Sequence, residues 1–293
     1  MREYLTSSDI ANSISMMRTA FDGTIVVVEG VTDRRLYGKY MDAENTNIII
    51  AHSKDKVRSS VSEVYGRRRD SGVIGILDSD LDLIRKKEPE RPLFQTDTRD
   101  AESMIIMSPA LENVLWEFGS EEKILRFQET MGKTVREALI DAAYPVGMLM
   151  YVSQKERINL SFKDIDFRQF IDYRTLECNI DRMVEEVFSC SRCQHINVNI
   201  IKSKLRTELS KNYDKTHLCR GHDLVDILVL ALRNTFGEYN AKNIREGELG
   251  GSLRLAYDSS MFRTTKLYRD TSGWCTDHDL RLWKVTEESD LPS

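Results

Sequence analysis

Apolar positions along this chain follow two rhythms. As far as residue 98 they fall in short, nearly unbroken runs: Thr24–Val28 (Thr-Ile-Val-Val-Val), Thr46–Ala51, Ser71–Asp80, which breaks at its carboxylates, and Leu93–Thr98. Continuous β-branched runs of this length suit strands covered on both faces of a parallel sheet. Between them lie amphipathic stretches. Ser8–Phe21 places Ile10, Ile14, Met17 and Phe21 at helical spacing, with Ser7 or Ser8 as a cap. A second helix, capped by Thr32 or Asp33, carries Leu36, Tyr37, Tyr40 and Met41 inward, and Lys54–Arg67 forms a third. Strands alternating with helices predict βαβ units, so the expected fold class is α/β with a mainly parallel sheet flanked by helices.

Beyond Ser108 the strand signal fades. Ile124, Phe127, Met131, Val135, Ala138 and Leu139 predict one face of a single long helix, and Ile180, Met183, Val184, Val187 and Phe188 predict another. Asp223–Arg233 is apolar nearly all round, which predicts a helix central to a second domain or to a dimer contact. The expected organisation is a sheet domain over 1–115 and a mainly helical domain over 116–293. No Gly or Pro linker separates them, so direct packing of the helical part on the sheet is expected.

Candidate chemistry sits where the strands stop. The first run breaks at Glu29, followed by Gly30, which tolerates a sharp turn; in open α/β sheets ligands bind outside the carboxyl ends of strands. The third run breaks at Asp78-Ser79-Asp80. Alternate residues of an extended segment share a face, so Asp78 and Asp80 are expected to direct both carboxylates into one space. Like charges are costly together unless a divalent cation holds them, and oxygen-only ligands select Mg²⁺ or Mn²⁺; surface turn residues after a strand are the alternative. Asp100-Ala101-Glu102 opens a helix, where acids are favoured by the dipole, and Glu102 is the better metal candidate of the two. His222, beside Gly221, is either a phosphate or proton-transfer group or a helix-start residue. Four of the five residues Cys190, Cys193, His195, His217 and Cys219 could together ligate a structural Zn²⁺, a reading placed behind buried free thiols.

Composition narrows the function classes. No apolar run approaches the roughly 20 residues of a membrane-spanning helix, and Met1–Ala20 lacks a signal peptide's apolar segment. With five cysteines, an odd number, a reducing, cytoplasmic setting is expected. The net charge of −5 does not advertise a polyanion partner, yet clustered carboxylates lower net charge while bound cations restore a positive field locally. Basic groups occur at Arg67–Arg69, Lys202–Arg206 and Arg263–Arg269, each either a solvated helix face or a nucleic-acid track. No P-loop or dinucleotide fingerprint is present, so any use of ATP belongs to a partner.

Glu29-Gly30, Asp33 and the Asp78-Ser79-Asp80 pair, set in βα alternation, resemble the TOPRIM fold of topoisomerases, primases and the overcoming-lysogenization-defect (OLD) nucleases. In the nuclease branch the motifs run Glu-x-x-x-Asp, Asp-x-Asp and Ser-x-Glu. Glu29 and Asp33 match the first and Asp78 and Asp80 the second, whereas Asp100-Ala101-Glu102 departs from the third by Asp for Ser. Asp100–Met104 and Arg220–Leu224 (Arg-Gly-His-Asp-Leu) further resemble the DUF4435 group of TOPRIM proteins, which includes a nuclease effector of the PARIS anti-phage defence system. The resemblance implies a homodimeric, Mg²⁺-dependent nuclease with Glu29, Asp78, Asp80 and His222 in catalysis and Glu29, Asp33, Asp78, Asp80 and Glu102 at the metal. It further implies an ABC-type ATPase partner, a phage-encoded trigger and host tRNA as target, with DNA cleavage or a non-catalytic regulatory role as alternatives. The tail after Trp283 is given no role.

Overall fold

The computed structural model describes residues 5–191 and 197–284. In chain order they form α1 (Ser7–Met17), β1 (Thr24–Val28), α2 (Val31–Tyr37), β2 (Thr46–Ile50), α3 (Lys54–Ser62) with a π-helical turn (Glu63–Arg67), β3 (Val73–Leu77) and β4 (Leu93–Gln95). There follow α4 (Ala101–Ile106), α5 (Ala110–Phe118), α6 (Glu121–Met131), α7 (Val135–Lys155), α8 (Ile180–Cys190), α9 (Val198–Leu209), α10 (Gly221–Ala231), α11 (Glu246–Ala256), α12 (Ser259–Arg263) and α13 (Lys266–Asp277).

The class is α/β, with one parallel sheet in the order β2-β1-β3-β4. Contacts divide the chain elsewhere than after residue 115. One unit holds the described residues up to Ser79, Lys87–Asp97 and those from Ser259 onward; the other holds Asp80–Lys86 and Thr98–Asp258. The C-terminal helices therefore belong with the sheet, which periodicity could not show because nothing local records where a helix docks.

In the sheet unit β1 and β3 are buried along their whole length, as their unbroken apolar runs predict. Strand β2, also predicted buried, is an edge strand and only half covered. Ile10 and Ile14 of α1 and Val57 and Val61 of α3 pack with Ile25, Val27, Val73 and Leu77 in one core. Each fully buried aliphatic side chain there contributes about 1.5–3 kcal/mol. The cap of α1 is Thr6, in a reciprocal box with Asp9, one residue before the predicted Ser7 or Ser8. An aromatic cluster ties in the C-terminal segment. Phe262 stacks on Tyr40 at 5.1 Å and meets Trp283 edge-on at 4.8 Å, while Trp283 Nε1 donates to Thr271 Oγ1. Asp97, two residues past β4, accepts the first two N–H groups of α13 at 2.6 and 2.8 Å.

In the helical unit the predicted long helix is two. Gly132 closes α6 with φ +63°, a left-handed angle that glycine takes without penalty, and Thr134 with Glu137 caps α7 anew. Apolar spacing carries across the break because both helices face one core, so periodicity alone does not register it. Helix α8 buries Met183, Val184 and Val187, and α10 buries nine of its eleven residues, as expected of a central helix. No helix among the described residues is long and apolar enough to cross a membrane.

Candidate functional site

Two adjacent parallel strands, β1 and β3, deliver the acids of the sheet unit, and β2 lies on the other side of β1. Val28 is in register with Ile50 on one side and Ile76 on the other, so β2, β1 and β3 end at a common edge. Just past that edge Glu29 Oε1 accepts the Asp78 N–H at 3.0 Å, joining the two acid motifs. Both side chains are half-buried. Asp33 lies at the third position of α2, not at its cap, and its Oδ2 accepts the Gly30 N–H at 2.7 Å. A nearly buried carboxylate so used fixes the turn that follows Glu29. Ser79 is buried, with N–H and hydroxyl both bonded to Thr96.

Two residues at this edge carry no motif. Lys54, the first residue of α3, donates from Nζ to the Asp78 carbonyl at 2.5 Å. His52 is exposed, has φ +68°, and donates its N–H to the Glu29 carbonyl at 2.9 Å. A positive φ on a non-glycine residue is sparsely populated and concentrates at functional turns. In sequence both look like ordinary turn residues; the signal was the end of a third strand at the same edge.

Asp80, Glu102 and His222 belong to the helical unit. Asp78 and Asp80 do not alternate along a strand: β3 ends at Leu77 and Asp80 takes φ +51°, its N–H donating to the Arg99 carbonyl at 2.7 Å. Asp100 is the cap of α4, bonded to the Ser103 N–H at 2.8 Å, and the same carboxylate accepts the Gly221 N–H at 2.8 and 3.1 Å. One acid therefore closes the first turns of two helices. The approach is so tight that a Cβ on Gly221 would lie 2.4 Å from Glu102 Cβ and 2.5 Å from Asp100 Oδ1.

This junction sets Glu102 and His222 beside one another. Burial pushes the Glu102 carboxyl up, reinforced by Asp100, while His222 and Arg254 pull it down. Arg254 Nη1 is 3.9 Å from Glu102 Oε1. One turn along α10, burial together with Asp223 and Glu246 raises Asp226 to about 6. Asp223 is wholly buried, takes Arg220 on Oδ1 at 2.5 and 3.0 Å, and its Oδ2 meets no hydrogen-bond donor among the described residues. Burial raises its pKa as well. The Arg99 side chain, also buried, donates to the Leu218 carbonyl and to Met150 Sδ, and Asp100, Asp223 and Asp80 offset the cost of burying its charge. Arg99, Asp223, Asp226 and Arg254 were absent from the sequence-based site, although Asp223 lies in the Arg220–Leu224 motif; Arg99 and Asp223 are buried, Asp226 and Arg254 half-buried.

The basic groups are engaged within the chain. Arg68 donates to the Ala11 carbonyl, Ser15 and Asn12, and Arg67 pairs with Glu63. Lys202 and Arg206 pair with Asp181, and Lys202 also with Glu185. Arg263 and Arg269 donate to the carbonyls of Lys284 and Thr264. Of the zinc candidates, Cys193 and His195 lie outside the described residues. Cys219 is fully buried with Sγ on the Ile140 carbonyl, whereas Cys190 lies against Glu186. Among the described residues no three His, Cys, Asp or Glu side chains are already gathered into a metal-binding group. No protein-family model matches this chain, and no curated protein matches it.

Proposed function

We propose that this protein is a metal-dependent phosphodiesterase acting on nucleic acid, with Glu29 and Asp78 at the centre of its site. The observation that carries the reading is the Asp78 N–H bonded to Glu29 Oε1 at the shared carboxyl edge of β1 and β3. Two half-buried acids, locked to one another at the edge where open α/β sheets bind ligands, form a hard-oxygen donor set. Glu29 and Asp78 would hold Mg²⁺ or Mn²⁺; Asp80 and Glu102, which belong to the helical unit, are metal candidates through the resemblance alone. When bound, such an ion neutralises a phosphate and lowers the pKa of its water. Asp33, engaged with Gly30, holds the turn that presents Glu29.

The finer reading rests on the resemblance to the TOPRIM and DUF4435 proteins, among them AriB, an effector of the PARIS anti-phage system. It adds a homodimer, control by an ABC-type ATPase of the AriA kind, a phage-encoded trigger and tRNA as the target, with His222 as a phosphate or proton-transfer group. The test is cleavage of labelled total tRNA and of plasmid DNA by the purified protein, with Mg²⁺ or EDTA, beside Glu29→Ala. Metal-dependent tRNA cleavage lost in the variant supports this reading, and plasmid cleavage would move the substrate to DNA. Silence on both substrates, persisting with the ATPase and a trigger added, would leave a non-catalytic regulator.

A further inference from the structure

We infer that the groove between α13 and the segment after it is a second contact for a nucleic-acid backbone, with Arg263, Arg281 and Lys284 as its phosphate-binding groups; the choice of partner rests on the phosphodiesterase reading. The groove has a volume of about 460 Å³ and lies within the sheet unit. Buried Leu282 and Trp283 line it beside Tyr268, whose ring centre is 5.9 Å from the Arg263 guanidinium carbon. Among the described residues no Asp or Glu lines it. Two other surface cavities differ in this respect. Between α8 and α9, Lys202 and Arg206 stand with Asp181 and Glu185, and along α5 and α6 Arg136 stands with Glu112 and Glu121. In a chain of 47 acids and 42 Lys and Arg residues, a groove of three cations runs against the composition.

The fold does not call for these charges. Arg281 serves it through its carbonyl, which accepts Thr24 Oγ1 at 2.6 Å and Thr46 Oγ1 at 3.4 Å, bonds that any residue supplies. Its side chain is exposed, and Asp42 is held below the usual carboxylate range by the Asn45 side chain first and by Arg281 last. Arg263 Nη2 donates to the Lys284 carbonyl at 3.2 Å, and Lys284 Nζ to the Lys39 carbonyl at 2.8 Å. A carbonyl aims a cation without cancelling its charge. A cleft lined by one sign of charge focuses its field on the opposite sign, and guanidinium forks match phosphate oxygens. Thr24 opens β1 and Glu29 follows its last residue, so roughly 16 Å of strand separate this groove from the acids. At about 3.4 Å per nucleotide, about five nucleotides span that distance. A polymer with an anion at every step can occupy both places at once, whereas a small anion cannot.

The test uses fluorescence anisotropy of labelled total tRNA and of a labelled DNA duplex with the full-length protein in a Glu29→Gln background, in EDTA, across a salt series. Arg281→Ala should weaken binding several-fold and reduce the slope of log K against log salt by about 0.7–0.9, one phosphate contact. Arg281→Lys should restore most of both, adding Lys284→Gln to Arg281→Ala should remove a second such step, and the melting temperature of Arg281→Ala should match that of the parent. An unchanged slope in Arg281→Ala, or a parent that binds neither nucleic acid, overturns the inference. Displacement of the nucleic acid by poly-L-glutamate at equal charge concentration would make the groove a site for acidic peptide and overturn it too. Cleavage by the wild-type chain reads the other proposal separately: an Arg281-dependent slope in a chain that cleaves neither nucleic acid keeps the groove and sinks the phosphodiesterase, and cleavage with no such slope does the reverse.

Discussion

Acids gather at two places in this molecule, and they are used in opposite ways. At the sheet edge Glu29 and Asp78 are half-buried, and each motif is secured by a neighbour: Asp33 by bonding Gly30, Lys54 by bonding the Asp78 carbonyl. At the start of α10 two carboxylates, Asp100 and Asp223, are buried. Asp100 closes two helices, Asp223 has no exposed surface, and burial raises Glu102, Asp223 and Asp226 together. Carboxylates locked into helix ends make architecture, whereas carboxylates held in place by others remain available for chemistry. Stability measurements separate the two uses, because removing architecture costs the fold and removing a binding acid does not.

The largest stability effect is expected at Gly221. A methyl group there meets Glu102 Cβ, Asp100 Oδ1 and the Ser103 amide at 2.4 to 2.6 Å; the first and last cannot swing aside, and Asp100 Oδ1 is held by the Ser103 and Gly221 N–H groups. Gly221→Ala should cost about 3 kcal/mol, by overpacking and by loosening the shared cap. For a unit of this size that is a fall of roughly 6–12 °C in melting temperature by calorimetry. An unchanged transition would mean that Asp100 does not bridge α4 and α10, and the architectural half of the comparison would fail.

Asp226 carries a smaller effect with a pH signature. Its folded-state pKa of about 6 stands above the ordinary 3.8, so the folded chain binds the proton more tightly than the unfolded chain. The stabilisation is complete below about pH 4 and is lost as pH rises through 6. Burial comes first among the causes, then repulsion from Asp223 and Glu246, with His222 and Arg220 opposing. Asp226→Asn should therefore stabilise the protein at pH 7.5 by about 1 kcal/mol after allowance for solvent screening, with the gain vanishing at pH 4. A gain that persists at pH 4 would point to packing rather than to the charge.

How legible all this was in sequence depended on whether the cause was local. β-branched runs stopping at Glu29 and Asp78 were visible because strand covering and strand ending are written in consecutive residues. The helical stripes at Ile10 and Met183 were visible for the same reason. The left-handed angle of Asp80, the break at Gly132 and the place of Thr6 as the cap each turn on one residue's backbone, which periodicity averages away. Lys54 and His52 were missed for a different reason: their significance comes from β2 ending beside β1, a pairing no spacing records. Helices α12 and α13 join the sheet unit through Phe262 stacked on Tyr40 and through the Asp97 cap, contacts spanning well over a hundred residues of chain.

The smallest stability effect should come from the residue with the largest functional one. The Glu29 side chain accepts the Asp78 N–H, and the side-chain carbonyl of Gln accepts it equally well. Glu29→Gln removes a negative charge that stands beside Asp78 at a crowded acidic edge, so relief of repulsion opposes any loss in the new side chain's packing. The melting temperature should move by no more than about 0.5 kcal/mol equivalent, and upward, while metal-dependent cleavage disappears. Calorimetry on the protein in EDTA, run beside the cleavage assay, reads both quantities. A fall comparable to that of Gly221→Ala would place Glu29 with Asp100 among the architectural acids and erase the difference between the two regions. A stable variant with undiminished cleavage would keep the difference and move the chemistry away from this edge.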